Sequence, residues 1–144
     1  MKERGVTFIE LILVLAIMLT ISILAPVFSS RFLLQNAVGN TVDQLAGSLR
    51  KAQMYSVMSK QGDVWSVHYS PSAITLYKGA AFAGHNSAFD ETFSINSNVS
   101  ISPNPLDVTF FRMTGTLSAS MSATISSGTN IKTVTVNSQG VASK

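Results

Sequence analysis

Cysteine is absent from the 144 residues, which excludes a disulfide framework and any thiolate metal site and leaves the redox compartment open. Charge is sparse as well. Only 12% of residues are Asp, Glu, Lys or Arg, and ten basic against seven acidic side chains leave +3 at pH 7. So small and scattered a balance does not announce a nucleic-acid partner. Catalytic constellations are also missing. There is no G-x-S-x-G elbow and no evident base beside any of the many serines. "GAAFAG" lacks the Lys-Ser of a phosphate loop and reads as a flexible loop. His68 falls in a strand pattern and His85 in a loop, with no ligand spacing to a carboxylate, and Asp90-Glu91 is an incomplete shell for calcium. No enzyme, cofactor or metal is therefore expected.

What is present is unevenly placed. Mean hydropathy is +0.31, and the apolar excess is concentrated in the first 28 residues. Beyond them Ser, Thr, Asn and Gly predominate, which suits a strand-and-turn domain with a neutral surface. The length fits one domain plus a membrane segment. Lys2 and Arg4 precede the run, and from Leu11 to Phe28 the only polar side chains are Thr20 and Ser22. At ~1.5 Å per residue that run is about 27 Å long, close to the ~30 Å of hydrocarbon in a bilayer. The basic head would stay on the cytoplasmic side, with the carboxyl-terminal bulk outside.

Glu10 stands at the lip of this run. An ionised acid carried into hydrocarbon costs roughly 2.5 to 3.5 kcal/mol on insertion scales, so it calls for a partner. A secretory signal would end in a small-residue cleavage site, and Ala25 followed by Pro26 is a poor one. A plain anchor leaves Glu10 unexplained. A cut directly after Gly5 keeps the apolar helix and creates an α-amino group at Val6, in the same low-dielectric zone as Glu10. Opposite charges at ~4 Å attract by about 4 kcal/mol at an effective dielectric of ~20, enough to offset much of the burial.

Gly5-Val6-Thr7-Phe8-Ile9-Glu10-Leu11 resembles the class III signal of type IV pilins and type II secretion pseudopilins, G-F-T-L-I-E-L, which an aliphatic helix follows with a proline about where Pro26 stands. Val6 and Phe8 depart from the commonest residues, but the small residue at the cut and the acid are kept. The resemblance implies cleavage after Gly5 by a prepilin peptidase and N-methylation of Val6. It further implies filament assembly through Thr7 and Glu10, the acid meeting the Val6 amine of a neighbouring subunit. Residues 1–5 are then a leader, 6–28 a transmembrane and filament-core helix, 29–61 its amphipathic continuation and 62–144 a β-rich globular domain. The implied partners are other pilin or pseudopilin subunits, the peptidase, an inner-membrane assembly platform and the lipid bilayer.

The amphipathic continuation is also legible without the resemblance. Leu33, Leu34, Val38, Val42, Leu45, Leu49 and Ala52 recur at spacings of three and four, predicting a helix to about Lys60. Gly39 and Gly47 weaken it by ~1 kcal/mol each, and Gln61-Gly62-Asp63 supplies a stop. Pro26 should bend or locally unwind the helix near Ser22, or end it. From Asp63 the period becomes two. Val64–Tyr69 and Ala73–Lys78 read as a hairpin, and residues 79–88 as a loop. Shorter strands follow at Thr92–Ile95, Val99–Ile101, Val108–Arg112, Ser118–Ile125 and Ile131–Val136. The fold class is α+β, one long helix packed on a mainly antiparallel sheet, type IV pilin-like. "LRKAQMYSVMSKQGDVWSVHY", "VTFFRMTGTL" and "IKTVTVNSQGVAS" resemble the minor pseudopilin H group.

The leading expectation is a structural subunit of a periplasmic pseudopilus or an extracellular pilus, held first in the inner membrane. The alternative is a DNA-binding minor pilin of an uptake pilus. That role needs clustered cations, whereas Arg112, Lys132 and Lys144 are scattered along the chain.

Overall fold

The computed structural model describes residues 7–104 and 106–144, the side chains of 24–31 excepted. Gly5 and Val6, and with them the expected cleavage and methylation, lie outside the described residues. The chain divides into two compact units, Met1–Leu33 and Leu34–Lys144. One helix, α1 (Phe8–Val57, 50 residues), contributes to both.

In the first unit the Thr7 carbonyl accepts from the Glu10 and Leu11 N–H groups (3.1 and 3.2 Å) and opens the helix. Leu, Ile, Met and Ala, all strong or acceptable helix formers, carry it onward. The local unwinding expected near Ser22 is not found, because α1 is helical across residues 22–26. Proline removes a single ladder bond, and the bonds on either side hold the turn. Among the described residues no helix is long and apolar enough to cross a membrane.

In the second unit α1 buries one face. Val38, Val42, Leu45, Ala46, Leu49 and Ala52 are all within 2% of complete burial, at the three- and four-residue spacing that puts them on one stripe. The stripe begins later than its pattern suggests, since Leu33 is 65% exposed. Gly47 faces open space and Gly39 meets only the end of Lys132 at 3.9 Å, so neither glycine serves close packing.

The helix stops at Val57, three residues before Lys60. Ser59, Gln61 and Gly62 all take left-handed conformations (φ 47, 57 and 73), which reverse the chain into the first strand. Ser56 fixes the corner. Its buried hydroxyl accepts from the Trp65 N–H at 2.9 Å and lies 3.4 Å from the Trp65 carbonyl, while the Trp65 indole N–H donates to the Lys60 carbonyl at 3.1 Å. Ser56→Ala should therefore lower stability by about 1–3 kcal/mol, because it strands a buried N–H, as a denaturant midpoint shift at constant slope would show.

Eight strands follow: β1 Trp65–Ser70, β2 Ala73–Lys78, β3 Glu91–Ser94, β4 Ser100–Ser102, β5 Leu106–Phe110, β6 Met121–Ser127, β7 Asn130–Val136 and β8 Ala142–Ser143. The α+β class stands and every ladder is antiparallel, but the single expected sheet is two. Each has four strands, in the orders β3-β2-β1-β5 and β4-β6-β7-β8. Alternation reports which face of a strand is apolar and not which strand it joins, so the changes of sheet from β3 to β4, β4 to β5 and β5 to β6 leave no periodic mark. β8 was too short to register as a strand. Trp65, Val67, Tyr69, Ile74, Leu76, Val108 and Phe110 of the first sheet share one core with Ile101, Ala123, Ile125, Val134 and Val136 of the second and with the α1 stripe.

Candidate functional site

Every residue from Thr7 to Ile23 is exposed. The large apolar side chains from Phe8 to Ile23 leave 46% to 79% of their surface uncovered. A contiguous apolar surface of this kind is what soluble monomers avoid, and it marks a site of association with protein or lipid. The two hydroxyls on it are satisfied inside the helix, Thr20 donating to the Ile17 carbonyl and Ser22 to the Met18 carbonyl, both at 2.8 Å. Neither would need water if the surface were covered.

Glu10 is the one acidic side chain in the first turn of α1, exposed, and without a salt-bridge partner among the described residues. A carboxylate at a helix amino terminus is favoured by the unsatisfied N–H groups there, which accounts for its tolerance but not for its company of Leu and Ile. Thr7 acts through its carbonyl in starting the helix. Pro26 sits inside α1 and not at its end.

Among the described residues of the globular unit, most cations have partners within the fold, and Lys132 and Lys144 both act on Asp43. Lys51 pairs with Glu91, Lys78 reaches Asp63 at 4.0 Å, and Lys144 binds Asp43 at 2.5 Å. The Lys144 hydrogen bond holds the Asp43 carboxyl below its usual range, and the Glu91 hydrogen bond raises Lys51. Arg50 donates to the Ala142 carbonyl and Arg112 to the Gly62 carbonyl, while Lys60 lies 3.5 Å from the centre of the Tyr55 ring. These cations are occupied within the fold, on separate elements.

Two histidine–carboxylate pairs had no signal in the sequence, because their partners are distant or in a loop of unknown path. His68 Nδ1 lies 2.7 Å from Asp107 of β5, paired across the β1–β5 ladder, and His85 Nε2 lies 2.8 Å from Asp90. Asp90 and Glu91, adjacent in sequence, turn to different partners, His85 and Lys51. No group of three or more metal-ligating side chains occurs among the described residues. The grooves at β6–β8 and beside β5 are lined mostly by Ser, Thr and apolar residues, with Asp107 in the second. No family model, curated protein or solved structure matches the chain.

Proposed function

We propose that this chain is a structural filament subunit of the type IV pilin and pseudopilin kind, assembling through its amino-terminal helix. The observation that carries the proposal is the uncovered apolar surface of α1 from Phe8 to Ile23, headed by the single carboxylate of Glu10. Such a surface is stable only against lipid or against copies of itself, at ~25 cal/mol for each Å² removed from water. In sequence the run continues to Phe28, long enough for a bilayer.

Subunits wait in the inner membrane, with the globular unit outside the cytoplasm, until the assembly platform draws them into a pseudopilus or pilus. A prepilin peptidase cuts after Gly5, and the new Val6 amine is methylated. Lipid contacts are then exchanged for helix–helix contacts of similar apolar character, so packing alone gives little directional preference. Glu10 supplies it. Only one axial offset sets its carboxylate against the amine of a neighbour, and every other offset leaves a charge unpaired in a low dielectric. The strand-rich unit, with its neutral Ser- and Thr-covered surface, is the part displayed. Among subfamilies, the minor pseudopilin H group is the one its later segments resemble.

Mass spectrometry of the amino terminus from native membranes tests the proposal. The expected product begins at Val6 and carries one added methyl group. A chain that still bears Met1 to Gly5 in membranes overturns it in favour of a plain anchor.

A further inference from the structure

The loop between β2 and β3, residues 79–90, covers the face of the first sheet that points away from the core. Ser66 and His68 alternate along β1 with the core residues Trp65, Val67 and Tyr69, and Tyr77 faces Ser66 across the β1–β2 ladder. The Ser66 hydroxyl donates to the Gly79 carbonyl at 2.6 Å, and the Thr109 hydroxyl to the Ala80 carbonyl at 3.3 Å, which anchors the start of the loop. Phe82 then inserts between two imidazoles, stacked on His68 at 3.7 Å and on His85 at 4.6 Å between ring centres, with the edge of Tyr77 at 5.3 Å.

His85 holds the far end. Its Nδ1 lies 2.5 Å from the Phe82 carbonyl and its Nε2 2.8 Å from an Asp90 carboxylate oxygen. A carbonyl and a carboxylate can only accept, and a neutral imidazole carries one N–H, so making both bonds at once requires the doubly protonated ring. The pair is sheltered, with side chains only 11% and 17% exposed. The second Asp90 oxygen is buried without a partner, so the His85 cation is the nearest compensation for that carboxylate.

We propose that His85 and Asp90 form a proton-operated clasp. With His85 protonated at both ring nitrogens the loop is pinned to the first sheet, and loss of that proton frees the loop and uncovers Phe82, Tyr77 and His68. The inference is independent of filament assembly and concerns the globular unit alone.

Other titratable groups also face the clasp. Tyr77 of β2 stands 5.0 Å from His85, and burial raises its pKa, so it stays neutral. His68 of β1 lies beyond Phe82 and is tied to Asp107 of β5. Lys78 of β2 is directed at Asp63 and over Phe89, and Glu91 of β3 at Lys51. The Asp90 hydrogen bond, then the Phe82 carbonyl, raise the His85 pKa, while burial works against them. A histidine with a raised folded value contributes its full stabilisation below the ordinary value of ~6.5 and loses it as pH rises through the folded one. The clasp is thus closed while His85 is protonated and Asp90 ionised, and it opens as pH rises through the His85 value.

The test is nitrogen NMR of the His85 ring, with amide hydrogen exchange over residues 81–90, on the full chain in detergent micelles across the titration. Both ring nitrogens should be protonated at about pH 6.5, and loop amides, corrected for intrinsic rates, should exchange about tenfold faster once the ring is neutral. Asp90→Asn should move the midpoint down and loosen the loop at neutral pH. A His85 ring already neutral at about pH 6.5, or loop exchange unchanged through its titration, overturns the proposal. The wild-type ring spectrum decides the matter even if the variant fails to fold.

Discussion

Gly140→Ala should destabilise the globular unit by about 3 kcal/mol or more and lower its melting temperature by roughly 10 °C or more, as calorimetry or circular dichroism of the full chain would read. Gly140 is buried in the turn between β7 and β8, with φ at 86, where a side chain alone costs about 1–2 kcal/mol. An added Cβ would lie 2.1 Å from the Gly115 carbonyl oxygen and 2.5 Å from Nε2 of Gln53. The first contact is with backbone and cannot be relieved by a rotamer change. The second displaces the Gln53 amide, which donates to the Gln139 carbonyl at 3.0 Å and ties the turn to α1. The neighbouring Leu117 N–H to Ser138 carbonyl bond (3.0 Å) holds the same turn to the segment after Gly115, so relaxation by moving the turn outward would break it. A loss below about 1 kcal/mol would mean that the close approach is not maintained in solution.

Glu10→Ala carries the largest functional effect expected. Removing the carboxylate makes the run more apolar, so membrane association should be retained. Incorporation into filaments should fall at least about tenfold, the equivalent of ~1.4 kcal/mol and well within the roughly 4 kcal/mol Coulomb attraction of the pair. The comparison is the ratio of subunit in purified filaments to subunit in membranes, for the wild type, Glu10→Ala and Glu10→Gln. Glutamine keeps the length and the hydrogen-bonding shape but not the charge, so it should assemble as poorly as alanine if charge sets the axial offset. Wild-type ratios for both variants would remove the ion pair from the mechanism.

The parts of this molecule legible from sequence are those where a repeating backbone geometry imposes a repeating choice of residue. The α1 stripe from Val38 to Ala52 follows from three- and four-residue spacing, and Trp65, Val67 and Tyr69 follow from alternation. The β1–β2 hairpin lies within one residue of its expected limits, because Ser70-Pro71-Ser72 breaks the pattern between them. The helix end was less exact. Left-handed geometry at Ser59 and Gln61, neither of them glycine, moved the stop forward to Val57. The first buried turn was likewise misplaced, since Leu33 is apolar but uncovered, and apolar character does not by itself say what lies opposite.

The chemistry divides along the same line. Glu10 at the head of an apolar run announces itself because an acid set among apolar residues of one helix calls for a partner wherever that run is buried. The His85 clasp was silent, since neither the path of residues 79–90 nor the stacking of Phe82 between histidines from β1 and the loop leaves any period to read.

By itself, then, the amino-acid order determined the long helix, its apolar end with one acid, the strand-rich remainder and the absence of thiol chemistry. Tertiary structure alone decided that the strands form two sheets, that Gly140 must remain a glycine against Gly115, and that His85 meets two acceptors at once. The reason is physical: local periodicity and solvation act between residues a few positions apart, whereas strand partnership, backbone proximity and charge pairing depend on which distant segments the shared core brings together.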